Sequence, residues 1–252
     1  MGRILRISAG ALVGCAFGWL GTPVEGASPS VVPAVPAVTE SPTSLAAATV
    51  RRVQARYDET ETLSGRFVQE VAVGVSGRVI RSGGTLRFHK PGRMRWEYES
   101  SAASEHQILI ADGETLWIHQ PEQAQVLRAP LAQAFASRTP VSFLFGVARL
   151  EEDFTAELLS PADDGSLRLR LHPKPADGAS GSDGSDAGAA GVLVLEVDPE
   201  SHDLRAAIVR DPLGNETRVA LVGMQRNLEL EDSLFVFKRP PGTDLQQAPG
   251  GG

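Results

Sequence analysis

Five histidines are the first residues to test for chemistry, because an imidazole can bind a metal or act as a general base. None of them stands in the His-x-His or His-Glu-x-x-His spacing of a zinc site. We therefore expect neither a metal centre nor another cofactor. The histidines are His89, His106, His119, His172 and His202.

No nucleophile or phosphate cradle stands in a catalytic pattern either. The chain has one cysteine, Cys15, and no Gly-x-Ser-x-Gly motif. Gly83 and Gly84 open a strand, whereas a phosphate cradle places its glycines between a strand and a helix. Asp112 and Asp164 fall in turns, where aspartate has a structural role. The sequence therefore favours binding over catalysis, and we expect no enzyme.

A predicted β-hairpin from Gly83 to Tyr98 carries the residues best suited to binding. Its two strands flank Lys90-Pro91-Gly92, a turn sequence, and apolar residues alternate with polar ones along both. Such alternation gives one apolar face and one face in water. The hairpin alone leaves open whether that face closes a core or lines a site. The apolar positions are Leu86, Phe88, Met94, Trp96 and Tyr98.

Composition limits the classes of partner. The chain has 252 residues and is 42% hydrophobic, which suffices for one large all-β domain. Its net charge of −7 argues against nucleic acid as a partner, since nucleic-acid-binding domains carry basic surfaces.

The amino terminus reads as a secretory signal peptide over residues 1–26. Arg3 and Arg6 precede an apolar run of ~14 residues, shorter than the ~20 that span a membrane, and small residues follow near Gly26. Cys15 also fits a loose lipoprotein signal, although the apolar run continues past it to Leu20. Residues 27–43 are rich in proline and alanine and predict a linker without a fold of its own.

The remaining chain, residues 44–245, predicts one domain of short strands with a few helices. Residues 44–62 have the spacing of an amphipathic helix, and Asp112-Gly113 marks a second hairpin. Helices are predicted at 123–135 and after Thr139-Pro140, and strands resume at Phe154. We expect a disordered insertion at 173–191 and a frayed tail at 246–252. The later strands are expected at 154–159, 166–172, 191–197, 204–210, 216–222 and 235–237.

A sheet of about ten strands with helices on one side must curl, and the helices can fill the resulting concavity. If Phe67, Met94, Trp96 and Tyr98 face that space, they form an apolar lining suited to acyl chains.

Four segments of the chain are distinctive when taken together: Leu63–Gln69, Gly84–Tyr98, Asp112–Trp117 and Phe235–Gly242. In this order along the chain they resemble the outer-membrane lipoprotein carrier family, LolA, and the similarity extends from about Leu45 to Asp244.

The resemblance implies a mainly β fold, an incomplete, unclosed antiparallel β-barrel lidded by helices, in the periplasm. It also implies acylated lipoproteins as cargo, an ATP-driven (ABC-type) inner-membrane release complex as donor and an outer-membrane receptor as acceptor. We expect the carrier to act as a monomer. The lipid-binding set is Phe67, Leu86, Phe88, Met94, Trp96, Tyr98, Leu109 and Trp117, with Val141 and Leu144 as lid residues.

The resemblance also assigns a gating role to Lys90. Family members often have arginine before this proline, where it ties the hairpin to the lid helices. An ammonium still donates to helix carbonyls but lacks the planar guanidinium fork.

Three alternatives remain at this point. The chain could be an outer-membrane lipoprotein receptor of the same fold, LolB-like, if Cys15 is acylated. It could carry another lipid, or it could be an enzyme acting on glycolipid or peptidoglycan precursors.

Overall fold

The computed structural model describes residues 42–99, 106–134, 149–174 and 192–247. The predicted signal peptide, most of the linker, most of the insertion and the helix after Thr139-Pro140 lie outside these ranges. Within them, no helix is long and apolar enough to cross a membrane.

Twelve strands form one sheet in the order β12-β6-β5-β4-β3-β2-β1-β11-β10-β9-β8-β7. All neighbours are antiparallel except β12 and β6, which run parallel. Over the described residues β12 and β7 end the order, so the sheet is unclosed and the expected fold class is confirmed. The strands are β1 (Thr62–Val73), β2 (Arg78–His89), β3 (Arg93–Tyr98), β4 (Gln107–Asp112), β5 (Thr115–Gln120), β6 (Gln125–Pro130), β7 (Phe154–Leu159), β8 (Leu167–Pro173), β9 (Val192–Val197), β10 (Leu204–Arg210), β11 (Glu216–Arg226) and β12 (Asp244–Gln247).

The described helices are few. They are α1 (Pro42–Asp58), α2 (Leu131–Ala134), α3 (Leu150–Asp153) and a single 3-10 turn (Asp232–Phe235). Only α1 is long, and proline suits the first turn of a helix because its missing N–H would have no partner there.

Helix α1 packs on one face of the sheet through a stripe at helical spacing. Ala46, Val50 and Val53 are at most 4% exposed and join a core cluster with residues of β7, β8, β9 and β10. The sheet contributes Phe154, Leu169, Leu171, Leu193, Leu195, Val197 and Ala207 to this cluster.

Asn227 joins the end of α1 to the sheet. Its side-chain oxygen accepts from the Glu61 N–H at 2.8 Å, and its amide donates to the Glu59 carbonyl at 3.1 Å. The backbone of Asn227 has a φ of 56°, a left-handed conformation that asparagine tolerates better than most residues.

Two sequence predictions need correction. The helix expected over residues 123–135 is largely strand β6, and only Leu131–Ala134 is helical. No strand forms at 235–237: Phe235 ends the 3-10 turn, and Val236 and Phe237 have no regular secondary structure. The last described strand is β12, which includes Gln246 and Gln247 from the predicted tail. Strand β6 pairs with β5, and the 3-10 turn packs on β3 and β4. Local periodicity does not encode these contacts.

Candidate functional site

The first hairpin and its neighbours present a continuous apolar face, here called the inner face. Apolar residues lie opposite one another on neighbouring strands: Leu86 lies opposite Trp96, and Trp96 lies opposite Leu109. A parallel row runs from Leu63 to Phe88 and on to Met94. Because directly opposed side chains on one face touch, these rows form a single surface.

Gly84 lets the aromatic side chains of the inner face meet. A Cβ at this position would lie 1.8 Å from the Glu97 carbonyl oxygen and 3.0 Å from the Phe67 ring. With no side chain there, the Phe67 ring centroid lies 4.4 Å from that of Trp96 and 5.0 Å from that of Tyr98. Gly84 therefore has a packing role in the apolar cluster.

A cavity of about 260 Å³ lies between the last turns of α1 and the inner face. One end is apolar, and the other end carries charged side chains. The apolar wall consists of Val53, Tyr57, Leu63, Leu86, Phe88, Leu204, Leu221 and Met224. The polar end consists of Arg56, Asp198, Ser201, His202, Asp203, Arg205 and Arg226, together with Thr60.

Helix α1 is a fixed wall of this cavity. Its first half is buried in the core with β7 to β10, and the Leu150 N–H of α3 donates to Gln54 at 3.0 Å. Its second half, from Val53 to Tyr57, faces the cavity, and the Tyr57 ring lies 6.4 Å from the Phe88 ring. Burial raises the pKa of the Tyr57 hydroxyl far above its usual value, so Tyr57 stays uncharged in the apolar wall.

Lys90 ties the turn of the first hairpin to the end of α1. Its ammonium donates to the Tyr57 carbonyl, lies 3.4 Å from the Asp58 carbonyl and sits 3.9 Å from the centre of the Tyr57 ring. Burial lowers the pKa of this ammonium, whereas Asp58 and Glu61 act in the opposite direction. A cation at a helix carboxyl end is favoured, because the last carbonyls lack partners within the helix.

Ion pairs crosslink the polar end. Arg56 Nε lies 2.9 Å from Asp203 Oδ1, and Arg226 Nε lies 3.5 Å from the same atom. Arg205 Nη2 lies 2.5 Å from Asp198 Oδ2. The Asp198 carboxylate also accepts the Ser201 and Glu200 N–H groups, and these contacts, with Arg205, hold its pKa at about 2.

The structure brings most of the predicted lipid-binding residues together, in two layers. Leu86 and Phe88 line the cavity. Phe67, Met94 and Trp96 are buried beside them in the same cluster, against which the partly buried Tyr98 and Leu109 pack.

Trp117 is not part of this group. Its β5 neighbours Leu116 and Ile118 belong to the inner-face cluster, so Trp117 points to the opposite, outer face. There its ring stacks on Phe237 at 5.1 Å, and Arg128 lies over it. Val141 and Leu144, the predicted lid residues, lie outside the described residues.

Sequence reasoning missed six of the eight residues of the apolar wall. The missed residues are Val53, Tyr57, Leu63, Leu204, Leu221 and Met224. The alternation of Val219 and Leu221 in β11 was a usable signal, yet nothing local shows that β11 lies beside β1.

The described residues contain no cluster of three or more histidine, cysteine, aspartate or glutamate side chains able to hold a metal. The site has an apolar wall and a charged rim, and the Lys90 ammonium beside it is hydrogen-bonded to the carboxyl end of α1.

Comparison with known protein families matches residues 58–238 to the family described as outer membrane lipoprotein carrier protein LolA. An outer-membrane lipoprotein carrier protein of Cupriavidus pinatubonensis is 32% identical over 209 residues, covering 82% of this chain and 90% of that one. Its counterpart in Dechloromonas aromatica is 31% identical, covering 74% of this chain and 81% of that one. Among solved structures, an uncharacterised conserved protein of Thermus thermophilus matches with a TM-score of 0.48 and 10% identity, over 80% of this chain and 98% of that one.

Proposed function

The chain belongs to the family of the outer membrane lipoprotein carrier protein LolA, and on that premise we propose that it holds lipoprotein acyl chains in the cavity between α1 and the inner face. Members of this family are periplasmic carriers and not enzymes. The chain takes acylated lipoproteins from an ABC-type release complex of the inner membrane and passes them to an outer-membrane receptor.

One observation carries the proposal: the cavity joins a continuous apolar face. Its wall combines side chains of α1, β1, β2, β10 and β11, and Leu86 and Phe88 connect it to the buried aromatic cluster. Each methylene kept from water contributes about 0.8 kcal/mol, so such a surface suits an acyl chain.

The size of the cavity implies that it opens. About 260 Å³ is below the ~300–1,000 Å³ of sites that hold one drug-sized molecule, so it does not hold several acyl chains as it stands. Because α1 is fixed by its buried stripe, we assign the movement to a segment other than α1. The predicted lid residues Val141 and Leu144 remain candidates for that role.

Trp117 is left out of the proposed lining, because its ring packs on the outer face against Phe237. Tyr57, Leu63, Leu221 and Met224 take its place.

Two adjacent residues of β11 allow a matched test. Leu221 lines the cavity, whereas Val222 is 49% exposed and is not part of the cavity wall. Leu221→Gln puts an amide into the apolar wall, and Val222→Gln makes a comparable change outside it. We expect Leu221→Gln to weaken uptake of a triacylated lipopeptide by roughly three- to tenfold, about 1 kcal/mol of lost apolar contact, and Val222→Gln to leave it unchanged.

Uptake is measured by native mass spectrometry of the purified chain with the lipopeptide. Equal uptake by both variants, with unchanged stability, would show that the cavity is not the site of acyl-chain binding.

A further inference from the structure

The polar end of the cavity carries arginines that an acyl site does not need. Its lining includes three arginines, Arg56, Arg205 and Arg226, and two aspartates, Asp198 and Asp203. Arg56 also lies 3.7 Å from Glu59, and Arg205 also lies 3.5 Å from Asp164, so these two arginines have further carboxylate partners. A guanidinium beside an apolar wall suits an anionic amphiphile.

Arg226 is the cavity arginine with the fewest ion pairs among the described residues, one against two each for Arg56 and Arg205. It lies opposite Leu63 at the end of β11, and its side chain is 27% exposed. Within the described residues Arg226 forms an ion pair with Asp203 Oδ1 at 3.5 Å. Arg56 contacts the same oxygen at the shorter distance of 2.9 Å. A guanidinium has five donors, so Arg226 keeps donors for a further acceptor.

The two aspartates do not cancel this capacity. Asp198 is held by two backbone N–H groups and by Arg205, which also donates to Ser166 at 3.0 Å. Asp203 is shared between Arg56 and Arg226. An incoming carboxylate or phosphate can therefore bind at Arg226 without displacing Asp198, whereas the guanidinium of Arg56 already faces Asp203 and Glu59.

We propose that this polar end is a subsite for the anionic head of a single-chain amphiphile. Its carboxylate or phosphate binds Arg226, and its chain lies along Leu63, Phe88 and Met224. As it stands, the cavity of about 260 Å³ fits part of one chain, so a single-chain ligand needs less opening than a lipoprotein with several chains. The inference rests on the proposed function only in placing an acyl chain in this cavity, since the head-group contact is independent of lipoprotein transfer.

Three probes of equal chain length separate the head group from the chain. Decanoate, decyl phosphate and decanol are titrated calorimetrically into the full chain, below their micelle concentrations and at low ionic strength. We expect the two anions to bind about tenfold more tightly than decanol, because charge-assisted hydrogen bonds to guanidinium are strong. We expect salt to reduce the difference, because the rim is partly exposed.

Arg226→Gln removes the cation that binds the anion, and Arg56→Gln removes the partner with which Arg226 shares Asp203, so that Asp203 is left to Arg226. Arg210→Gln is the matched control, because Arg210 is an exposed residue of β10 that pairs with Glu216 at 2.6 Å and does not line the cavity. The anion preference should fall at least severalfold in the first two variants and persist in the third. Binding of decanol to each variant reports whether the apolar wall is still folded.

Each outcome decides the point. A preference for only one anion supports the subsite and identifies its head group as carboxylate or phosphate. Equal binding of all three probes, or a preference that survives Arg226→Gln, overturns it. Wild-type uptake of a neutral triacylated lipopeptide, measured in parallel, tests the proposed function separately, so that either can fail alone.

Discussion

Lys90 shows how one side chain can couple the hairpin to the helix. Its ammonium donates to the carboxyl end of α1, where Tyr57, which accepts this hydrogen bond through its carbonyl, lines the cavity. We predict that Lys90→Leu impairs delivery of lipoprotein to the receptor severalfold while uptake changes less, because the tie affects the closed state more than the apolar wall.

Lys90→Arg is the control, since a guanidinium also donates to helix carbonyls. Release from the donor complex and transfer to the receptor are measured separately in a reconstituted assay. An equal loss of both steps in Lys90→Leu would count against a gating role.

Asp198 gives the rim a defined pH dependence. Backbone N–H groups of Ser201 and Glu200, followed by Arg205, lower its pKa to about 2, below the ~3.9 of an unfolded aspartate. A lowered folded-state pKa stabilises the fold above the unfolded pKa, and the contribution is lost as the pH falls through about 2. We predict that Asp198→Asn is less stable than the wild type at pH 7 and that the gap narrows from about pH 4 to pH 2.

The free energy of unfolding in urea, measured for both proteins across that range, tests this prediction. A gap that stays constant with pH would mean that ionisation of Asp198 does not contribute.

At the scale of elements, Asn227 holds the junction between α1, β1 and β11. We predict that Asn227→Gly costs about 1–2 kcal/mol of stability, because two side-chain hydrogen bonds are lost while the left-handed backbone is retained. Asn227→Ala should cost about 1 kcal/mol more, since alanine is disfavoured at this φ.

Chemical denaturation of the two variants separates the two contributions. Equal stability of the glycine and alanine variants would mean that the left-handed backbone conformation does not contribute. Wild-type stability of both variants would mean that the side-chain hydrogen bonds of Asn227 do not stabilise the fold.

The same scale shows what the sequence could predict. Both hairpins are where alternation and turn residues predict them, because a β-turn and its flanking strands are encoded locally. Strand β6 was mistaken for helix because Val126 and Ala129, both buried, are three residues apart, which matches a helix turn as well as a strand. Its pairing with β5 and β12 decided between them.

For the whole molecule, the sheet order brings distant segments into one cavity. Tyr57 and Leu221 are far apart in sequence, and they share a wall because β1 lies between β2 and β11. The sequence predicts the apolar face of the first hairpin, but the opposite wall depends on long-range pairing. Trp117 shows what residue type alone does not predict. An aromatic residue suggested lipid binding, but Trp117 lies between the inner-face residues Leu116 and Ile118 in β5 and therefore points to the outer face.

That difference between the two faces gives the most direct test of the account. Trp96 belongs to the inner-face cluster beside the cavity residue Leu86, and Trp117 lies on the outer face. Two single-tryptophan proteins are made, one with Trp117→Phe and one with Trp96→Phe, each also carrying Trp19→Phe. A lipopeptide with brominated acyl chains, which quench tryptophan fluorescence on contact, is added to each. We predict strong quenching of Trp96 and little quenching of Trp117, whereas quenching of Trp117 alone, or of neither while the lipopeptide is bound, would contradict binding on the inner face.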